Sequence, residues 1–351
     1  MPKELTHWIT AEHTSGLVSE GVLQKAIVNH PHFYYLGAVV YDSPFYADAV
    51  GGTNSYARVA DVLHGRNGAD TFEPYRVFFS AFSDSLPPEA LSFICGAFTH
   101  YSLDVAFHPL VTYFSGEYFD DNPRKQAESQ IRHRQFESLL DLYTYGAYKR
   151  EKQRDHRAGL GLYLLNGGRF SRTLSPLLGS EALLSEIVEK FFAAAEERVP
   201  VVPMLKQHAL LQRQFFNRFL SSMLNGTGKL LGGKIAVTAA TFYPSIRGRA
   251  IDAPETALPF FSQPISYMHP NTGETLRASV DELLNGAAET AAELINGYQH
   301  AIDEGRGGVF LRDTRGLSLE FGCDTVKYPE PRHFDTDTPV PALCRKPAAS
   351  S

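Results

Sequence analysis

Between Glu89 and Leu110 the residues Leu91, Ile94, Cys95, Phe98, Tyr101 and Val105 recur at three- and four-residue steps, and His100, Asp104 and His108 stand inside the same run. That period predicts a helix. Four residues turn a helix by about 400°, so successive members of such a series drift only about 40° around the axis. All three polar groups can therefore face one pocket, and imidazoles and a carboxylate among apolar neighbours need pairing or a bound cation. The same spacing also fits an ordinary helix surface, where i,i+4 pairs are common.

A second helix predicted over Gln126 to Tyr143 repeats the pattern, with His133 and Glu137 four apart and Ile131, Phe136, Leu139 and Leu140 on one side. Nine of the 13 histidines fall within the first 156 positions, so the chemistry is expected there. The three cysteines, Cys95, Cys323 and Cys344, are far apart and form no C-x-x-C pair, which supports neither a disulfide framework nor a thiolate metal site. Any metal would be held by nitrogen and oxygen, and a mixed imidazole and carboxylate set suits zinc.

The rest of the chain bounds the fold. With 351 residues, 43% hydrophobic and 21% charged, it reads as a globular protein, and a net charge of -6 argues against general nucleic-acid binding. No stretch reaches roughly 18 apolar residues, and the start from Met1 to His7 lacks the basic and apolar regions of a secretory leader, so a cytoplasmic location without a transmembrane segment is expected. Further helices are predicted over Ser180 to Arg198, Met204 to Leu224 and Ala278 to Glu304, with Gly226 and Gly228 as a stop and a short strand over Lys234 to Phe242. Lys149 to Ser175 reads as a polar, then Gly-rich connection. The expectation is an all-α single unit over residues 1–328, with a metal-binding core at 5–145, a helical C-terminal half at 176–305 and a flexible tail at 329–351.

Other signals are weaker. Gly228 to Ile235 nearly matches a phosphate-binding loop, but Ile235 stands where Ser or Thr is needed, and no G-x-S-x-G elbow occurs. His13, His30 and His32 read as supporting or surface groups, and His156, His208, His269, His300 and His333 have no ligand-like partner in the sequence. Tyr41, Phe72, Tyr75 and Tyr101 fit either a cleft lining or a core, and Arg76 and Arg134 either a phosphate contact or a solvated surface.

Several fragments in order carry a resemblance: Thr6-His7-Trp8-Ile9, His32 through Asp42, Leu63-His64-Gly65, Gly96 through Asp104, His108-Pro109, and His133 to Glu137, with a fainter echo at Met268 to Glu274. Over about residues 5 to 145 the chain resembles the zinc-dependent phospholipase C family, whose helical fold is shared by single-strand nucleases of the P1 type. The resemblance implies zinc ions at the bottom of a cleft. By position it implies that Asp42, His64, His100 and Asp104 hold one, that Asp104 bridges to another held by His7, and that His108, His133 and Glu137 form a further set. Secreted members complete the His7-like zinc with an amino-terminal Trp, whereas this chain begins Met1-Pro2. Two zinc ions are therefore expected, and a third on condition that another donor replaces that Trp. The step from Asp104 to His108 is also shorter than in the secreted bacterial enzymes, while keeping both on one helical face.

The activity implied is hydrolysis of a phosphodiester, foremost a phospholipid headgroup bond, by metal-activated water, with Asp42 the catalytic carboxylate that orients or deprotonates it. Such a substrate goes with peripheral contact to a membrane surface. Two rivals stay open: a single-strand nuclease, which calls for aromatic stacking platforms, and a non-catalytic metal-bound module for a lipid or partner, which calls for a closed metal site.

Overall fold

The computed structural model describes residues 3–47, 56–82, 86–155, 170–215, 233–244 and 252–338, together with Asn217, Leu220 and Met223. Helix dominates them. In chain order the helices are α1 (Glu4–Ser15), α2 (Val22–Asn29), α3 (Pro31–Gly37), α4 (Ser43–Ala47), α5 (Ala57–Leu63), α6 (Glu73–Ala81), α7 (Pro88–Ser115) and α8 (Pro123–Asp155). They continue with α9 (Phe170–Leu177), α10 (Glu181–Phe192), α11 (Val201–Phe215), α12 (Gly233–Ala239), α13 (Pro254–Ala257) and α14 (Val280–Asp303). The one sheet among the described residues is an antiparallel pair, β1 (Ile265–Met268) and β2 (Thr275–Ala278), registered Ile265 to Ala278 and Met268 to Thr275.

α7 is the axis of the fold, with α1, α2, α3, α8 and α14 packed on it. By length and composition it could cross a membrane, yet 89% of its most apolar stretch is buried inside the protein, as expected of a core helix. It runs from Pro88 past Leu110 because Pro109 removes only its own hydrogen bond to the carbonyl of Val105, and it stops at Gly116, where φ is 92°. α3 approaches it so closely that a Cβ on Gly96 would lie 1.9 Å from the Tyr34 carbonyl oxygen, and one on Gly37 would lie 2.1 Å from that of Phe93. Only glycine at both positions allows this contact.

α8 places Asp141 one turn beyond Glu137, and there it caps α1 from outside: its carboxylate accepts the amides of Leu5 (3.2 Å) and Thr6 (2.9 Å), the Thr6 hydroxyl (2.5 Å) and the Tyr243 hydroxyl (2.6 Å). A helix start without its own capping side chain leaves orphan N–H groups, and Asp141 supplies both acceptor and favourable charge. α14 caps itself, Ser279 and Glu282 exchanging bonds in a capping box.

The stretch predicted as a strand, Lys234 to Phe242, is instead helix α12 followed by a turn. It pairs with no strand among the described residues and packs on α8, where Arg134 donates to the Val237 carbonyl and the Thr241 hydroxyl. Arg76 likewise meets protein rather than a ligand, bonding Asp70, Glu73 and the carbonyls of Leu311 and Thr314. Those carbonyls begin a strap, residues 311–324, that runs back across the N-terminal half: the Gly316 amide donates to Asp70, that of Leu317 to the Tyr101 hydroxyl, and that of Leu319 to the His64 carbonyl. Residues 329–338 carry no regular element and bond to Pro270, Tyr113 and Arg132. The rest of the expected tail, most of the Gly-rich connection before Ser175, the proposed stop at Gly226 and Gly228 and most of the loop resembling a phosphate site lie outside the described residues.

Candidate metal centre

Five elements deliver the eight residues singled out in the sequence. α1 brings His7, the short 3-10 turn before α4 brings Asp42, the residue capping α5 is His64, and α7 brings His100, Asp104 and His108 on successive turns. α8 brings His133 and Glu137. Seven of the eight are 0 to 6% exposed, and the His133 side chain is 12% exposed.

Three sets form, each with ligand atoms within 4.8 Å of one another: His7, Asp42 and His100; His64, His100 and Asp104; and His108, His133 and Glu137. The first two share His100 and meet at Asp104. One carboxylate oxygen of Asp104 lies 3.5 Å from Nε2 of His7, and the other lies 3.5 Å from Nε2 of His64 and 3.1 Å from Nε2 of His100. Asp42 Oδ1 is 3.4 Å from His64 Nε2 and 3.9 Å from His100 Nε2.

None of these approaches has the direction of a hydrogen bond. Both oxygens of Asp104, Oδ1 of Asp42 and Nε2 of His7, His64, His100 and His108 are buried without a hydrogen-bond partner. Orphaned polar atoms cost of the order of 1–3 kcal/mol each, so the six around Asp104, and His108 Nε2 in its set with His133 and Glu137, call for a partner between them. Nitrogen and carboxylate oxygen lone pairs converging on common points fit a zinc-type cation.

The opposite edge of three rings is fixed by main-chain carbonyls. His64 Nδ1 donates to Ala60 (2.6 Å), His100 Nδ1 to Ala38 (2.9 Å), and His108 Nδ1 to Leu319. Such a bond keeps the proton on Nδ1 and turns the Nε2 lone pair inward, the form a metal ligand needs. His100 is further held in a stack, its ring 4.1 Å from that of His7 and 4.4 Å from that of Tyr41, with interplanar angles of 5° and 3°.

Electrostatics agree with the donor geometry. Burial lowers His7 and His133 well below the ordinary imidazole range and brings His108 to about 3, so these three are neutral near pH 7. Burial also opposes charge on Asp104, but the imidazoles of His100, His108 and His64 hold its carboxyl far below the usual range. Without a cation, a proton takes the place of the positive charge: burial disfavours it, yet Asp104 and Asp42 push His64 up to about 10.

The aromatic residues expected near a cleft are packing groups. Tyr41 donates to the Tyr75 hydroxyl (2.9 Å), Tyr75 donates to the Ala97 carbonyl (2.8 Å), and Phe72 lies against Tyr101. Sequence reasoning missed the strap. Leu319 bonds both His64 and His108 through its main chain, and its neighbour Glu320 is raised to about 8 by burial. The strap's approach is a tertiary feature with no sequence signal: Gly322, at φ +66°, comes so close that a Cβ there would lie 2.3 Å from the Val105 carbonyl that Pro109 leaves without a helical donor.

One of three comparisons with known proteins gives a match. No curated protein and no solved structure matches the chain. Residues 6–164 match the model of a family described as zinc dependent phospholipase C, a span holding all eight residues above. That region, which carries the buried imidazole and carboxylate sets, is similar to the zinc-dependent phospholipase C family.

Proposed function

We propose that the protein is a zinc-dependent phosphodiester hydrolase of the phospholipase C type, cleaving the headgroup bond of a phospholipid. The observation that carries this reading is Asp104, a fully buried carboxylate whose two unpartnered oxygens face different imidazoles. Asp42, His64, His100 and Asp104 would hold one ion, and His108, His133 and Glu137 a second; His7 and the facing oxygen of Asp104 offer part of a third place. When bound, zinc supplies Lewis acidity, bringing the pKa of a water towards about 7 and offsetting negative charge on phosphoryl oxygens.

The chain's own residues do the rest. Nδ1 of His64, His100 and His108, locked to carbonyls, prevents these rings from turning their lone pairs away. Asp42 holds the ion through one carboxylate oxygen and accepts the proton of the attacking water at the other as the water's oxygen bonds to phosphorus; the bond to the diacylglycerol oxygen breaks, and that oxygen takes up the proton as it leaves. The buried aromatic shell around Tyr41 and Tyr75 keeps bulk water from the back of the site.

Tyr41, Phe72, Tyr75 and Tyr101 offer the rival nuclease reading no stacking platform, because they pack inside the protein. The test is zinc content of the purified full chain, with hydrolysis of phosphatidylcholine and of single-stranded DNA before and after chelation. Zinc uptake with chelator-sensitive release of the phosphorylated headgroup is expected. DNA cleavage alone would favour the nuclease, and tight zinc without either activity the non-catalytic module.

A further inference from the structure

His208, which has no ligand-like partner in the sequence, lies at the centre of a buried relay. Its Nε2 is 3.0 Å from Oε1 of Glu4, and its Nδ1 is 2.9 Å from the hydroxyl of Ser43. Exposure is 0% for His208 and Ser43 and 1% for Glu4. Serine, histidine and acid in this order resemble a nucleophilic triad, but no substrate reaches a hydroxyl with no exposed surface. The arrangement therefore needs a different purpose.

Burial disfavours charge on Glu4, yet the bond from His208 holds its carboxyl below the usual range, so it is an ionised acceptor and Nε2 of His208 is the donor. The Tyr46 ring stacks on His208 at 4.3 Å and fixes its plane. The ends of the relay matter most. Glu4 stands on α1 one turn before His7, and Ser43 directly follows Asp42. Donor atoms of His7, Asp42 and His100 lie within 4.8 Å of one another, so the ion places assigned to His7 and to Asp42 adjoin, but the two residues arrive on separate elements. His208 comes from a third element, α11, and both it and Glu4 lie outside the span matched by the family.

We propose that the Ser43–His208–Glu4 relay is a positioning device for the metal centre, in which His208 sets the separation of His7 and Asp42 by gripping the residues beside them. The inference rests on the zinc reading above. A group that fixes the orientation of a metal ligand typically changes affinity by 10–100-fold when lost.

The test uses the full-length chain, with zinc titrated against a chromophoric chelator and visible spectra recorded for the cobalt-substituted protein. Ser43→Ala cuts one link. His208→Gln can keep the Glu4 contact and His208→Asn the Ser43 contact, so neither bridges both. Each variant is expected to weaken one class of zinc site about 10–100-fold and alter the cobalt bands, leaving the His108, His133 and Glu137 class as in the wild type. A packing role alone would lower the melting temperature of the zinc-free chain without changing the spectrum or the relative affinities of the sites, and that result overturns the relay. If a His208 variant does not fold, Ser43→Ala, which removes one oxygen, decides the matter. A wild-type chain that takes up no zinc would instead remove the functional reading, whereas a wild type that binds and a Ser43→Ala variant that binds equally well would remove only the relay.

Discussion

The first 155 residues and the strap at 311–324 both build the candidate metal centre, but through different atoms. The former present side chains: imidazoles and carboxylates on α1, α7 and α8 and on the turns before α4 and after α5. The latter presents backbone, the carbonyl of Leu319 on His108 and its amide on the carbonyl of His64. Side-chain chemistry is written in residue identity, whereas backbone support is available from any residue and depends on where the chain runs. Residue identity therefore reveals the candidate ligands and not the backbone that orients them.

The sharpest way to break that contrast is to remove a side chain that nothing else replaces. Asp104→Asn keeps size and removes the charge between three imidazoles, and is expected to lower phosphodiester hydrolysis about 10²–10³-fold with loss of zinc. Steady-state rates and metal analysis check it. Next in size is Gly96→Ala, where the added Cβ would sit 1.9 Å from the Tyr34 carbonyl and force α3 off α7. Overpacking of this kind costs about 1–3 kcal/mol. Because α3 leads into the Ala38 carbonyl that holds His100, denaturant unfolding and zinc titration should both register the change.

Gly322→Ala sharpens the comparison from the strap's side. The position has φ +66° and a Cβ there would meet the Val105 carbonyl at 2.3 Å, so a stability loss of about 1–2 kcal/mol is expected. If the strap serves His108, zinc at the His108 set weakens more than at the His64 set. The smallest effect concerns the anchor of the strap. Burial raises the Asp70 carboxyl, but Arg76 and the amides of Gly316 and Phe72 hold it below its usual value. The stability this contributes is present above the unfolded pKa and is lost as pH falls through the lower, folded one. The difference in melting temperature between wild type and Asp70→Asn should thus be full near neutrality and close on acidification.

Much of this was legible. The four-residue steps of His100, Asp104 and His108 predict one helical face, and the fold keeps them on α7, since the apolar residues between them satisfy the same period. The long helix after Ala278 is equally plain, with its capping box and alanine-rich buried face. The segment from Lys234 misled because a short apolar run has the same composition as a strand or a buried helix, and only the presence of α8 decides it. The hairpin of β1 and β2 went unread, its four-residue strands being too short to show alternation. His208 was passed over because Glu4 and Ser43 are distant in sequence, and only tertiary packing brings the three together.

The central claim is that the acids and imidazoles around Asp104 share bound zinc. Anomalous scattering at the zinc edge, from crystals of the chain grown with zinc, measures this directly. The account predicts peaks within about 2.0–2.2 Å of Asp104 oxygen and His100 nitrogen atoms. Well-ordered density for these side chains with no anomalous peak among them would contradict it.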